Sequence, residues 1–117
     1  MTKTPHRIVE VTNYYAKSGM AAAVLKMRRR GTRLRLELGL PPGRILIGDG
    51  ASGPDVRWDC SFISREVFET DLATRDTSPE FVAQRRQMGA LLDRFERHVM
   101  VEDQEAGNAS DAVGADL

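Results

Sequence analysis

The chain holds one cysteine, two histidines and one tryptophan among 117 residues, with 6% aromatic residues overall. Each scarcity excludes something. A lone cysteine closes no internal disulfide, so a reducing cytoplasm is the simplest location. His6 and His98 are far apart, and no Cys/His or His/Glu cluster stands at ligand spacing, so no metal and no other cofactor is expected. No apolar run approaches the roughly 20 residues that a membrane helix needs. Met1-Thr2-Lys3-Thr4-Pro5 lacks the apolar stretch of a signal peptide. Excess charge is also missing: 17 basic and 17 acidic residues cancel, which argues against a general nucleic-acid binder.

What is there is a soluble, globular composition, 41% hydrophobic and 29% charged, of a length that suits one domain. The zero charge is a sum of unlike parts. All 17 Lys and Arg lie at or before Arg97, while Glu102, Asp103, Glu105, Asp111 and Asp116 crowd the last 16 residues. The terminal stretch EDQEAGNASDAVGADL is small, polar and acidic, and it cannot bury enough apolar surface to offset its ordering entropy. A folded domain is expected over residues 1–103, followed by an acidic mobile tail over 104–117.

Period and punctuation give the elements. Residues 7–15, RIVEVTNYY, alternate Val9, Val11, Asn13 and Tyr15 against Ile8, Glu10, Thr12 and Tyr14, which predicts a strand with one mostly apolar and one mixed face. Residues 20–38 predict a helix with a seam of Met20, Val24, Met27, Gly31, Leu34 and Leu38. Ser18 is its expected N-cap and Gly39 its expected terminator. Lys26, Arg28, Arg29, Arg30, Arg33 and Arg35 form its basic side, read as a solvated face or a contact for an anionic partner. Strands follow at 44–48 and 56–63, with Val56, Trp58, Cys60 and Phe62 sharing one face of the second. A helix is expected at 65–73. Ser78-Pro79 then starts a helix over 79–97, with Phe81, Met88, Leu91, Leu92 and Phe95 on one stripe. A final strand is expected at 98–103.

The order β-α-β-β-α-β predicts an α+β, ferredoxin-like fold, a four-stranded antiparallel sheet with its helices on one face. The other face must be solvated, bind a ligand or pair with another sheet. Three motifs reduce to structure. Gly48-Asp49-Gly50-Ala51-Ser52-Gly53 spells GxGxxG, but a second strand comes after it where a dinucleotide site needs a helix, so it reads as a hairpin loop. Cys60, between Trp58 and Phe62 on one face, reads as a small buried hydrophobe. RNA-recognition domains share the order, yet VRWDCSFI lacks the glycine of their third strand and its aromatic face reads as core, so nucleic acid is an unfavoured partner.

Val11-Thr12-Asn13-Tyr14-Tyr15-Ala16-Lys17-Ser18-Gly19 resembles the first strand and turn of NIPSNAP-like proteins, with Ser18 in place of the usual proline. Ser78-Pro79-Glu80-Phe81 is similar to their opening of a long helix. The resemblance covers about residues 6–103. It implies a dimeric α+β barrel, related to antibiotic-biosynthesis monooxygenase-like domains, in which two sheets face each other across a lumen. It thereby implies a homodimer with a lumen, and a small organic molecule is the expected ligand there. It does not imply a reaction, because relatives include cofactor-independent monooxygenases, haem-degrading enzymes, isomerases and cyclases. The haem-degrading relatives use Asn, Trp and His. Asn13 and Trp58 are present, but neither histidine lies within the helices and Phe62 takes the strand position of that tryptophan, so the role is not carried over.

The candidate site is the mixed sheet face. Glu10, Thr12 and Tyr14 of the first strand are expected beside Arg57, Asp59 and Ser61 of the third, together lining the lumen. Asp59 is the first candidate base, Tyr14 a second catalytic candidate, and Arg57 an orienting group. The reaction would be cofactor-independent oxidation or proton transfer. The alternative is that Glu10 pairs with Arg57 and the rest satisfy one another at the interface of a non-catalytic homodimer that serves as an interaction protein.

Overall fold

A computed structural model describes residues 6–50 and 52–103; the expected acidic tail over 104–117 lies outside them. The elements run β1 Ile8–Ala16, α1 Ala21–Glu37, β2 Arg44–Ile47, β3 Val56–Phe62, α2 Arg65–Asp76, α3 Pro79–Gly89 and β4 Leu92–Val101. The strands form one sheet in the order β2-β3-β1-β4, every neighbour antiparallel. This is the ferredoxin-like α+β arrangement, with α2 and α3 as the second helical connection.

The local signals act as their chemistry dictates. Gly39 takes φ +77° and Leu40 N–H donates to Arg35 O at 2.8 Å, so α1 ends in a Schellman turn. Ser78 Oγ accepts from Phe81 N–H at 3.2 Å, with Pro79 in the first turn of α3. Ser64 caps α2 in the same manner through Val67 N–H. The GxGxxG segment is the β2–β3 connection, where Gly48 N–H donates to Asp55 O at 2.9 Å. The expected Ser18 cap does not form: Met20 occupies the N-cap position of α1 and no side chain accepts from that end.

The largest departure lies at the end of α3. The expected helix over 79–97 stops at Gly89, and the expected strand over 98–103 is β4, Leu92–Val101. Leu91, Leu92 and Phe95 stand at helical spacing by coincidence. The outer edge of β1 needs pairing along its whole length, and β4 supplies it from Ile8↔Val101 to Ala16↔Leu92. The register shifts beside Tyr15/Ala16, where Arg94 and Leu92 face successive residues of β1. Asp93 is thus the extra residue of a β-bulge that returns Leu92 to the core.

The core lies between sheet and helices. Ile8, Tyr14, Val56, Trp58, Cys60 and Phe62 project from the sheet against Val24, Phe68 and Met88 of the helices. Phe62 and Phe68 stack at 5.2 Å between centroids. Trp58 Nε1 donates to Pro42 O at 2.9 Å, which leaves the indole buried with its one donor satisfied.

Candidate functional site

The helix-facing side of the sheet does not meet the helices everywhere. A cavity of about 500 Å³ opens between β1, β3 and β4 on one side and α1, α2 and α3 on the other. β1 contributes Glu10, Thr12 and Tyr14, β3 contributes Trp58, and β4 contributes Leu92, Phe95 and Arg97. Arg28 comes from α1, Arg75 from α2, and Phe81, Gln84, Arg85 and Met88 from α3. The walls therefore combine aromatic and aliphatic side chains with polar and charged ones, four arginines among them, and so offer both apolar area and convergent polar groups to a small molecule.

The six expected site residues do not converge. In the antiparallel register Glu10 faces Cys60 and Val11 faces Asp59, and directly opposed residues share a face. Glu10, Thr12 and Tyr14 therefore point toward the helices and line the cavity. Arg57, Asp59 and Ser61 lie on the opposite face, beside Val9 and Arg44 in a separate shallow depression. The expected grouping is off by one residue of register, which moves a whole set of side chains through the sheet.

The expected Glu10–Arg57 pair is absent as well. Glu10, 1% exposed, accepts from Arg75 at 2.7 Å and from Arg97 at 2.8 Å. Asp59 accepts from Arg44 at 2.7 Å and Arg57 at 3.2 Å, so both its oxygens are engaged.

Two arginines of the expected basic face of α1 are in fact buried. Arg35 makes a bidentate pair with Asp71, at 2.6 and 3.2 Å, and donates from Nε to Pro41 O at 2.7 Å. Asp71 also lies within ion-pair distance of Arg75 at 3.2 Å, though without hydrogen-bond alignment. Glu10, Arg75, Asp71 and Arg35 thus form one buried chain of alternating charge from β1 to α1. Arg28 is different. It donates to the Tyr14 hydroxyl at 3.2 Å and lies 5.0 Å from the Trp58 ring centroid. Its Nε and Nη2 are buried without a partner.

These arginines carried a sequence signal. Val24, Arg28, Gly31 and Arg35 are the buried residues of α1, spaced 4, 3 and 4 like an apolar stripe. Gly31 in mid-helix makes the room: a Cβ there would stand 2.6 Å from Arg28 Nη2 and 2.5 Å from Gln84 Nε2.

Cys60 is a core residue, 4% exposed. Burial pushes its thiol above the ordinary value, and Arg35 only partly opposes this. A thiol held protonated is a poor nucleophile. Among the described residues no three His, Cys, Asp or Glu side chains group as a metal site, and no helix is long and apolar enough to cross a membrane.

The sequence matches no protein-family model and no curated protein. Its fold is similar to several solved structures. A NIPSNAP family protein from Agrobacterium tumefaciens superposes with a TM-score of 0.65 at 15% identity, over 89% of this chain and 92% of that one. SnoaB, a cofactor-independent oxygenase from Streptomyces nogalater, solved in a mutant form, gives 0.62 at 16% identity over 84% and 94%. A dimeric protein of unknown function and ferredoxin-like fold from Bacteroides fragilis gives 0.63 at 9% over 82% and 96%. At such identities the likeness concerns architecture, and the chain has the ferredoxin-like fold seen in NIPSNAP family structures.

Proposed function

We propose that this chain is the subunit of a homodimer that binds a small organic molecule in the cavity between its sheet and its helices. The observation that carries the reading is the cavity itself, about 500 Å³ and lined by Trp58, Phe81, Phe95 and Tyr14 together with polar groups that include Glu10, Arg28, Arg75 and Arg97. The ligand site of this reading is inside each subunit rather than in a lumen between two sheets, because Glu10, Thr12 and Tyr14 face the helices. The homodimer is supported by the dimeric relative of like fold. It is further supported by Met100, an apolar side chain left exposed on the sheet face turned away from the helices.

If a reaction accompanies binding, proton transfer from an electron-rich ligand fits best, with or without subsequent oxidation of the deprotonated ligand by dioxygen, which takes up the electrons. Tyr14 is the group placed to handle the proton, its hydroxyl in the cavity and already accepting from Arg28. Similarity to a cofactor-independent oxygenase supports this class. Asp59 is not in this cavity and plays no part in the reading.

Trp58 is the only tryptophan, so its fluorescence reports directly on the cavity. A panel of small aromatic acids, phenols and quinols should contain members that both change Trp58 emission and raise the melting temperature. Tyr14→Phe should retain binding and lose turnover of any member that is converted. A panel in which nothing moves either signal would leave the chain a non-catalytic interaction protein.

A further inference from the structure

Arg28 is the one buried arginine among the described residues that has no carboxylate. Arg35 and Arg75, equally buried, are held by Asp71 and Glu10. Arg28 is 7% exposed, lines the cavity and uses a single N–H, from Nη1, on Tyr14. The Nε–Nη2 edge of its guanidinium has no partner. That edge presents two parallel donors, the fork that takes a carboxylate bidentately.

Among the described residues, the carboxylates lining the cavity are engaged elsewhere. The Glu10 oxygens are taken separately by Arg75 and Arg97, and Asp76 pairs with Arg85 at 3.2 Å. A buried, uncompensated charge is costly to a fold. Here the cost is sustained by construction: Gly31 clears the space that the guanidinium occupies, and the Trp58 ring supports it. Strain of this kind persists where it serves a site.

We propose that the cavity ligand is an organic anion, its carboxylate paired with the guanidinium of Arg28 and its flat apolar body against Trp58 and Phe81. The inference rests on the reading of the cavity as a ligand site and adds the ligand's charge class.

The test is calorimetric titration of the intact protein with cinnamate and with its neutral isostere cinnamamide, at fixed ionic strength. Cinnamate should bind about tenfold tighter or better, the factor expected of a charge-assisted bidentate bond. Arg28→Gln should abolish that preference while keeping the amide's affinity, and Arg29→Gln, on the exposed side of α1, should change neither. Gly31→Ala, which displaces the guanidinium through two flexible side-chain ends, should also reduce the preference. Arg28→Gln should melt higher than the parent, because it removes an unpaired buried charge. Equal affinity for acid and amide, or a preference that survives Arg28→Gln, would overturn the anion site and leave the cavity reading intact. Failure of both probes to bind would overturn both.

Discussion

Arg75, near the end of α2, reaches Glu10 in the middle of β1 at 2.7 Å, and both side chains are buried. The contact joins residues 65 apart in sequence. It fixes α2 against the sheet beside the cavity. Arg97 holds the second oxygen of the same carboxylate, so Glu10 ties β4 and α2 to β1 at one point. Removing Glu10 leaves Arg75 with only its misaligned contact to Asp71. Glu10→Ala should therefore lose about 3–5 kcal/mol, the penalty for breaking a buried pair from one side. Urea denaturation measures it; a loss below about 1 kcal/mol would show that Arg75 finds another partner.

Gly43 precedes β2 with φ +68°. A Cβ there would stand 2.5 Å from Trp58 Nε1 and 2.6 Å from the backbone oxygen of Asp59. The second neighbour is main chain and cannot step aside. Gly43→Ala should cost about 2 kcal/mol or more, from the left-handed backbone and the overlap together. It should also shift Trp58 emission, since the indole must move. An unchanged melting temperature and spectrum would refute the close approach.

Burial raises the Cys60 thiol above its ordinary 9.0. The folded value lies above the unfolded one, so the unfolded chain releases this proton first as pH rises. The thiol's contribution to stability is complete below 9.0 and is lost as pH climbs through the folded value. Iodoacetamide should label Cys60 at the rate of unfolding, and Cys60→Ala should flatten the alkaline limb of the stability profile. Rapid labelling of the native protein near neutral pH would contradict the burial.

Met100 stands opposite Val9 on the face of the sheet turned away from the helices and is 49% exposed. In the proposed homodimer this face meets its copy. Met100→Asp should shift the sedimentation mass from dimer to monomer while the far-ultraviolet spectrum stays unchanged. Asp59→Asn, on the same face, should leave ligand affinity in the cavity unaltered. A parent protein that sediments as a monomer at micromolar concentration would remove the dimer.

Much of the architecture was legible in the chain. The alternation of RIVEVTNYY and VRWDCSFI, the Ser78-Pro79 start and the Gly39 stop are local chemistry, and each forms as its residues dictate. The GxGxxG segment is a hairpin loop for the same reason: it leads into the strand β3, not into a helix. The end of α3 was not legible, because the pairing demand of β1 outweighs a helical spacing that ends in Leu92 and Phe95.

The sequence by itself determined most of the strands and helices, their order, and hence the ferredoxin-like sheet with Trp58 and Cys60 in its core. Only the tertiary structure decided the site. Period-2 alternation says that Glu10, Thr12 and Tyr14 share a face, but not which face of β3 they accompany. That depends on the register, Val11↔Asp59 and Glu10↔Cys60, set by long-range pairing. The fate of the arginines on α1 is likewise non-local. Arg35 is buried because Asp71 arrives from α2 to meet it. Arg28 is buried beside Tyr14 with two nitrogens left unpartnered.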